Sequence, residues 1–215
     1  MKIALIGTGN MGSALARQLT KAGQSLVVTG RDAAKAKELA RSVGATYKNT
    51  AAAEGADVVI VATGYADAVS ALRSAGDLTN KVVVDITNPL TADYMGLTIG
   101  HTTSAAEEIQ KAFPKAKVVK AFNTVFAQVL ANGAKLDGAT VPVYVAGDEA
   151  IAKNAVKALA AAMGFAPVDA GGLRNARYLE PLAGLNIYLG YGAGLGTAIA
   201  PAWIGMKQQA QALAA

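Results

Sequence analysis

The chain alternates short, wholly apolar runs with longer stretches in which apolar residues recur every three or four positions. Ile3-Ala4-Leu5-Ile6, Leu26-Val27-Val28, Val58-Val59-Ile60-Val61, Val82-Val83-Val84 and Val118-Val119 are runs of the first kind. Because every position is apolar, they predict strands covered on both faces, as in a parallel sheet flanked by helices. Met11, Ala14, Leu15 and Leu19 keep helical spacing after the first run, and Ala36, Leu39, Ala40 and Val43 do so after the second. Strand and helix therefore alternate. The predicted fold class is α/β, a Rossmann-type doubly wound parallel sheet.

After about Phe122 the pattern loosens. A helix from Val125, a strand at 141–145, a long helix over 149–163, a short strand at 166–168 and a final helical stretch from Ala176 are expected. No repeat, low-complexity tract or flexible linker marks off this part, so residues 1–122 are read as a dinucleotide-binding domain and 123–215 as a small α/β extension completing its sheet. Ser104 and Glu107 have the spacing of a capping box, with both side chains covering free amides at a helix start.

Hydrophobic residues make up 53% of the chain and charged ones 16%, enough apolar material for a packed core, which excludes an intrinsically disordered chain. Twenty Lys and Arg against 15 Asp and Glu give a net charge of +5, while only 6% of residues are aromatic. That balance favours an anionic small molecule and disfavours nucleic acid, for which stacking side chains are scarce. The chain has no cysteine and one histidine. Disulfides, thiolate metal sites and a cysteine nucleophile are thereby removed, and a clustered His metal site is disfavoured. The first apolar run reaches glycine after Ile6, too soon for a signal peptide, so a cytoplasmic location is expected. Residues 181–206 carry no charge over 26 positions, long enough to span a bilayer. Six glycines, two prolines and interior Asn186, Tyr188 and Tyr191 argue instead for a buried segment with no membrane partner.

Gly7-Thr8-Gly9-Asn10-Met11-Gly12 directly follows the first predicted strand and opens the first helix, the context of a dinucleotide-binding turn. Gly7 permits the tight turn, Gly9 lets the backbone approach a pyrophosphate, and Gly12 allows close helix–strand packing. The second strand ends in Thr29-Gly30, where an enzyme preferring NAD usually carries an acidic residue for the ribose 2′-hydroxyl. Arg31 follows and Lys35 lies one helical turn on, so two cations with the Thr29 hydroxyl are expected to converge on a 2′-phosphate, favouring NADP. Asp32 is expected to cap the next helix. Ala62-Thr63-Gly64 and Thr87-Asn88-Pro89 follow later strands, where ligands bind in open α/β sheets, although Gly64 and Pro89 serve equally well as turn residues. His101 has neither a second histidine nor a close acidic neighbour and reads as a surface imidazole. No nucleophile elbow, metal cluster or acid/base pair is recognisable, so no catalytic residue is assigned. A hydride acceptor with its own electronics, a flavin or deazaflavin, needs none.

On Gly7-Thr8-Gly9-Asn10-Met11-Gly12, Gly30-Arg31 with Lys35, Val84-Asp85-Ile86-Thr87-Asn88-Pro89, Lys120-Ala121-Phe122-Asn123-Thr124 and Asp169-Ala170-Gly171-Gly172-Leu173, the chain resembles the NADP oxidoreductase family that works with the deazaflavin coenzyme F420. It is also similar to the cytoplasmic domain of the six-transmembrane ferric and cupric metalloreductases. The resemblance implies that Thr8, Arg31 and Lys35 bind NADP phosphates, that the nicotinamide lies near Ala62 and Thr63, and that a hydride passes between NADPH and a flavin-like ring. Phe122-Asn123-Thr124 looks like the metalloreductase version, where the deazaflavin enzymes tend to carry a His-Thr pair, so FMN, FAD and F420 all stand as acceptors. None of the 215 residues is read as part of a six-helix membrane domain, and a free flavin, a deazaflavin or a separate protein is expected to accept. The rivals are an NADPH-dependent dehydrogenase or imine reductase of the β-hydroxyacid dehydrogenase type, and a non-enzymatic NADP-sensing protein. Finally, the spacing of Gly190 with Gly194 and of Gly192 with Gly196 places small residues on one face if 183–196 is helical. With Tyr188, Tyr191 and Trp203 around it, that face is expected to close the acceptor pocket or form a homodimer interface.

Overall fold

In the computed structural model, which describes residues 1–205, the first apolar run forms β1 (Lys2–Ile6) and leads through the glycine turn into α1 (Asn10–Lys21). The chain continues through β2 (Ser25–Thr29), α2 (Ala33–Ser42), β3 (Thr46–Tyr47), β4 (Val58–Val61), α3 (Tyr65–Ser74), β5 (Val82–Asp85), α4 (Ala105–Ala112) and β6 (Lys117–Lys120). There follow α5 (Ala127–Asn132), a small hairpin of β7 (Lys135–Leu136) and β8 (Ala139–Thr140), β9 (Pro142–Gly147), α6 (Ala150–Ala162), β10 (Ala166–Asp169) and α7 (Ala176–Ile187). The hairpin was not legible in the sequence, because its two-residue strands carry no periodicity.

Eight strands form one sheet in the order β10-β9-β6-β5-β4-β1-β2-β3. Neighbours from β3 to β6 are parallel, β9 joins β6 antiparallel, and β10 is parallel to β9. From β1 the chain builds outward to β2 and β3, then returns to build β4, β5 and β6 on the other side. The crevice above the β1/β4 boundary is thus the topological switch point, where open α/β sheets take their ligands.

Alternate residues of each strand enter opposite cores, which is why the runs are apolar throughout. Ile3 and Leu5 pack with Leu15 and Leu19 of α1, Leu39 of α2, Leu130 of α5 and Leu159 of α6. Ala4 and Ile6 pack on the other face with Leu72 of α3 and Ile109 of α4. Asp32 caps α2 as expected, accepting from the Ala34 and Lys35 amides at 3.0 and 3.1 Å.

The C-terminal stretch corrects one expectation. No single helix runs over 183–196: α7 ends at Ile187, a π-helical turn covers Tyr188–Gly192, and Gly194 and Gly196 lie beyond it with φ of +72° and +80°. A left-handed backbone at two glycines cannot continue a right-handed helix. The two glycines inside the turn meet the chain's own side chains. A Cβ on Gly190 would stand 2.7 Å from the Phe126 ring, and one on Gly192 2.8 Å from the Tyr188 ring. Among the described residues no helix is long and apolar enough to cross a membrane. The final ten residues of the extension, beginning with Met206 at the end of the uncharged stretch, lie outside the described residues.

Candidate functional site

The glycines of the first turn do different work. Gly7 has φ of +119°, and a Cβ there would sit 2.3 Å from the Ala62 carbonyl oxygen. At Gly12 a Cβ would sit 2.1 Å from the carbonyl oxygen of Gly7 itself, so α1 can start this close to β1 only without a side chain. At Gly9 a Cβ would meet nothing within 4 Å. Gly7 and Gly12 are therefore packing constraints, whereas Gly9 leaves open space in front of the helix. Asn10 and Met11 form the first helical positions, and neither a side-chain cap nor an acidic residue occupies this helix start. Its amides are left for an anion.

A cleft of about 660 Å³ opens there, lined by Gly7, Thr8, Gly9, Thr29, Arg31, Lys35, Ala62, Thr63 and Gly64 among the expected residues. Asn49, Thr50, Asp67, Ser70 and Ser74 also line it and were not anticipated, since short polar side chains in loops and on α3 carry no motif. Arg31 approaches Asp67 at 3.4 Å, and Lys35 approaches Asp32 at 3.9 Å. The Arg31 side chain is 91% exposed. Pairs this open contribute only about 0–1 kcal/mol, so both cations remain available to a ligand anion. Thr29 donates its hydroxyl to the Asn49 carbonyl at 3.3 Å, tying the β2 tip to the loop beside it.

Asn88, Pro89, Asn123 and Thr124 gather beyond the carboxyl ends of β5 and β6. The Asn88 side chain donates to the Asn123 carbonyl, and the Asn123 side chain donates to Asn88 Oδ1 and to the Leu179 carbonyl, all at 2.9 Å. Pro89 accepts from the Thr98 amide at 2.7 Å, and Thr124 accepts from the Asn186 side chain at 3.2 Å. Just before this pair of loops Phe122 takes φ of +61°, a left-handed conformation costing about 1–3 kcal/mol for a bulky residue. Its ring is fully buried, edge-on to Phe165 at 6.4 Å between centroids, and this packing holds the turn that delivers Asn123 to Asn88. Thr87 Oγ1 and Asn123 Oδ1 are buried here without a hydrogen-bond partner.

Beneath this frame lies a buried ionic cluster that sequence reasoning missed. Lys120 donates to Asp85 Oδ2 at 2.8 Å, Glu180 Oε1 at 2.8 Å and the Thr87 carbonyl at 2.5 Å. All three side chains are at most 1% exposed. Glu180 also accepts from the Ala105 and Ala106 amides at the start of α4, at 2.9 and 3.3 Å. Burial raises the Glu180 carboxyl above its ordinary range, opposed by Lys120 and the Ala105 amide. Burial also raises the phenol of Tyr65, with Glu108, Glu180 and Asp85 adding to it. A signal was present: Lys120 and Asp85 each end an otherwise apolar run, and they stand opposite each other in the β5/β6 register.

The capping box is half formed. Ser104 accepts from the Glu107 amide at 3.2 Å, but Glu107 turns to Arg177, which donates to it at 2.7 to 3.2 Å. Burial pushes the Glu107 carboxyl up, yet the bonds from Arg177 and Ser104 outweigh it and hold the group below its usual range. His101 is exposed, and its carbonyl faces Arg177 at 3.5 Å.

An open parallel sheet with a glycine turn beneath its switch-point crevice defines the class: a dinucleotide-binding α/β protein. The family model described as "NADP oxidoreductase coenzyme F420-dependent" matches residues 2–89. An F420-dependent NADP reductase of Methanothermobacter marburgensis is 32% identical over 214 residues, covering 88% of this chain and 92% of the relative. The metalloreductase STEAP3 of Rattus norvegicus is 34% identical over 182 residues, which is 84% of this chain but 36% of that protein. The chain thus spans about a third of the metalloreductase's length. The crystal structure of a candidate F420-dependent NADP-reductase from Arthrobacter sp. FB24 superposes with a TM-score of 0.85 at 32% identity, covering 94% of this chain and 100% of that one. The chain belongs to the F420-dependent NADP oxidoreductase family.

Gly9→Val tests the division of labour among the glycines. With open space and an extended backbone at that position, the variant is expected to keep its melting temperature while losing at least about tenfold in NADPH affinity. Gly12→Val is expected not to fold. Unchanged affinity in folded Gly9→Val, measured by titration calorimetry, would contradict the assignment.

Proposed function

We propose that this protein transfers a hydride between NADPH and a flavin or deazaflavin acceptor, with FMN, FAD and coenzyme F420 as the candidates. The observation that carries the reading is the cleft itself, which offers Arg31 and Lys35 at the β2 tip while the nearby Asp32 is committed to capping α2. A carboxylate at the tip would select the 2′-hydroxyl of NAD; two exposed and only weakly paired cations select the 2′-phosphate of NADP. The name of one relative, an F420-dependent NADP reductase, contains both halves of the reaction and supports the reading.

Each set of residues has a task in this reading. Gly7, Thr8, Gly9, Asn10, Met11 and Gly12 present backbone amides to the pyrophosphate, and Arg31, Lys35 and Thr29 take the 2′-phosphate. Ala62, Thr63 and Gly64 leave room for the nicotinamide ring, and Asn88, Pro89, Asn123 and Thr124 form the far wall, against which the acceptor is oriented and water excluded. The bound coenzymes supply the redox chemistry, NADPH as hydride donor and the flavin-type ring as a two-electron acceptor. The buried ionisable groups closest to the wall, Lys120, Asp85 and Glu180, are committed to one another, so this reading assigns none of the three as a general acid for carbonyl reduction.

A second copy of the chain is proposed to cover the apolar surface that the C-terminal segment leaves in water, in a cytoplasmic homodimer. Leu185, Tyr188, Tyr191, Leu195 and Trp203 are each more than half exposed. So many large side chains from one short stretch mark an interaction surface. Light scattering at tens of micromolar protein is expected to give twice the chain mass; a monomer would remove this assignment.

NADPH is expected to bind at least about tenfold tighter than NADH, because each charge-assisted bond to the 2′-phosphate contributes about 1.5–3 kcal/mol. Arg31→Ala should erase most of the difference. Stopped-flow oxidation of NADPH with FMN, FAD, riboflavin and F420 in parallel should show turnover with at least one. Equal affinity for both nicotinamide cofactors, or turnover only with oxo acids or imines and no flavin, would overturn the reading.

A further inference from the structure

We infer that Lys120, with Asp85 and Glu180, is a positioning residue for the nicotinamide end of the cofactor, holding the Thr87–Asn88–Asn123 frame in place from beneath. The inference rests on the proposed cofactor reading and names how this chain builds that part of the site. Lys120 has three ammonium protons, and all three are taken by Asp85, Glu180 and the Thr87 carbonyl. Asp85 uses its other oxygen to accept from the Thr87 amide at 2.8 Å. Both backbone polar groups of Thr87 are thereby pinned by one ion pair, immediately before Asn88.

Two further ties extend the frame to α7. Glu180 sits on that helix, and the residue before it, Leu179, accepts from the Asn123 side chain. A shift of Lys120 would therefore move Thr87 from one side and release α7, with its hold on Asn123, from the other. By contrast, the adenosine end of the cleft is built from the β1 and β2 tips and α3, and none of the three ionic residues lines it. Thr87, Asn88 and Asn123 stand outside that lining as well, so in the proposed reading the frame is a second, separate half of the ligand site and the ionic cluster serves that half alone. Because a misplacement of about 1 Å can cost on the order of a hundredfold in rate, a frame held this tightly is where such an error would be prevented.

The test compares two ligands by titration calorimetry. Adenosine 2′,5′-bisphosphate probes the phosphate half alone, and NADPH probes both halves. Lys120→Met and Glu180→Gln are expected to keep the affinity for the bisphosphate within about twofold while cutting the NADPH advantage over it by about tenfold or more. Turnover per folded molecule with the accepting flavin should fall as well. If Lys120→Met fails to fold because two carboxylates are left without their cation, Glu180→Gln decides, since its amide still accepts from the α4 start. A brace that serves stability alone would lower the melting temperature and leave the ratio of the two affinities unchanged, which overturns the inference. A wild-type protein that oxidises NADPH with no flavin overturns the hydride reading instead, and the affinity ratio still judges the brace.

Discussion

The carboxyl edge of this sheet is organised around one buried ammonium group. Lys120 lies fully out of water between two carboxylates and a carbonyl, and removing it would leave both buried carboxylates without their cation, where breaking one buried ion pair typically costs about 3–5 kcal/mol. Two carboxylates against one lysine leave an excess of negative charge. The start of α4 offsets part of it, because the Ala105 and Ala106 amides point at Glu180 with the positive end of the helix behind them. Four elements, β5, β6, α4 and α7, consequently meet at a single point.

The other half of this edge depends on the opposite device, the absence of side chains. Gly7 and Gly12 bring β1, α1 and the β4 tip into contacts that no Cβ would permit, and Gly9 then faces open space at the switch point. Rigid backbone packing shapes the first half, at the switch-point cleft, and ionic bonding shapes the second, at the loops beyond β5 and β6. The strained Phe122 turn belongs to the second half, where its buried ring stabilises a conformation that brings Asn123 against Asn88.

The strand runs, the glycine turn, the Asp32 cap and the cations at the β2 tip were all legible in the sequence, because each is a local pattern with a local cause. Asn49, Asp67 and Ser70 were not, since they reach the cleft through the fold and no spacing announces them. The ionic cluster was half legible: Asp85 and Lys120 interrupt apolar runs at matching heights, but Glu180 comes from a helix 60 residues further along. The condition that 183–196 be one helix is not met for a physical reason: glycines four apart fit helical spacing, yet Gly194 and Gly196 adopt a left-handed backbone that cannot continue it. Periodicity alone cannot tell a small-residue face from a run of turns.

Direct hydride transfer from NADPH to a flavin-type ring, as proposed, is tested most directly by following the transferred atom. NADPH carrying deuterium at the transferring C4 position, mixed with the protein and F420, should leave one deuterium on the C5 carbon of the reduced deazaflavin, where it does not exchange with water. Deuterium recovered in NADP or in solvent, with the deazaflavin reduced but unlabelled, would contradict the account.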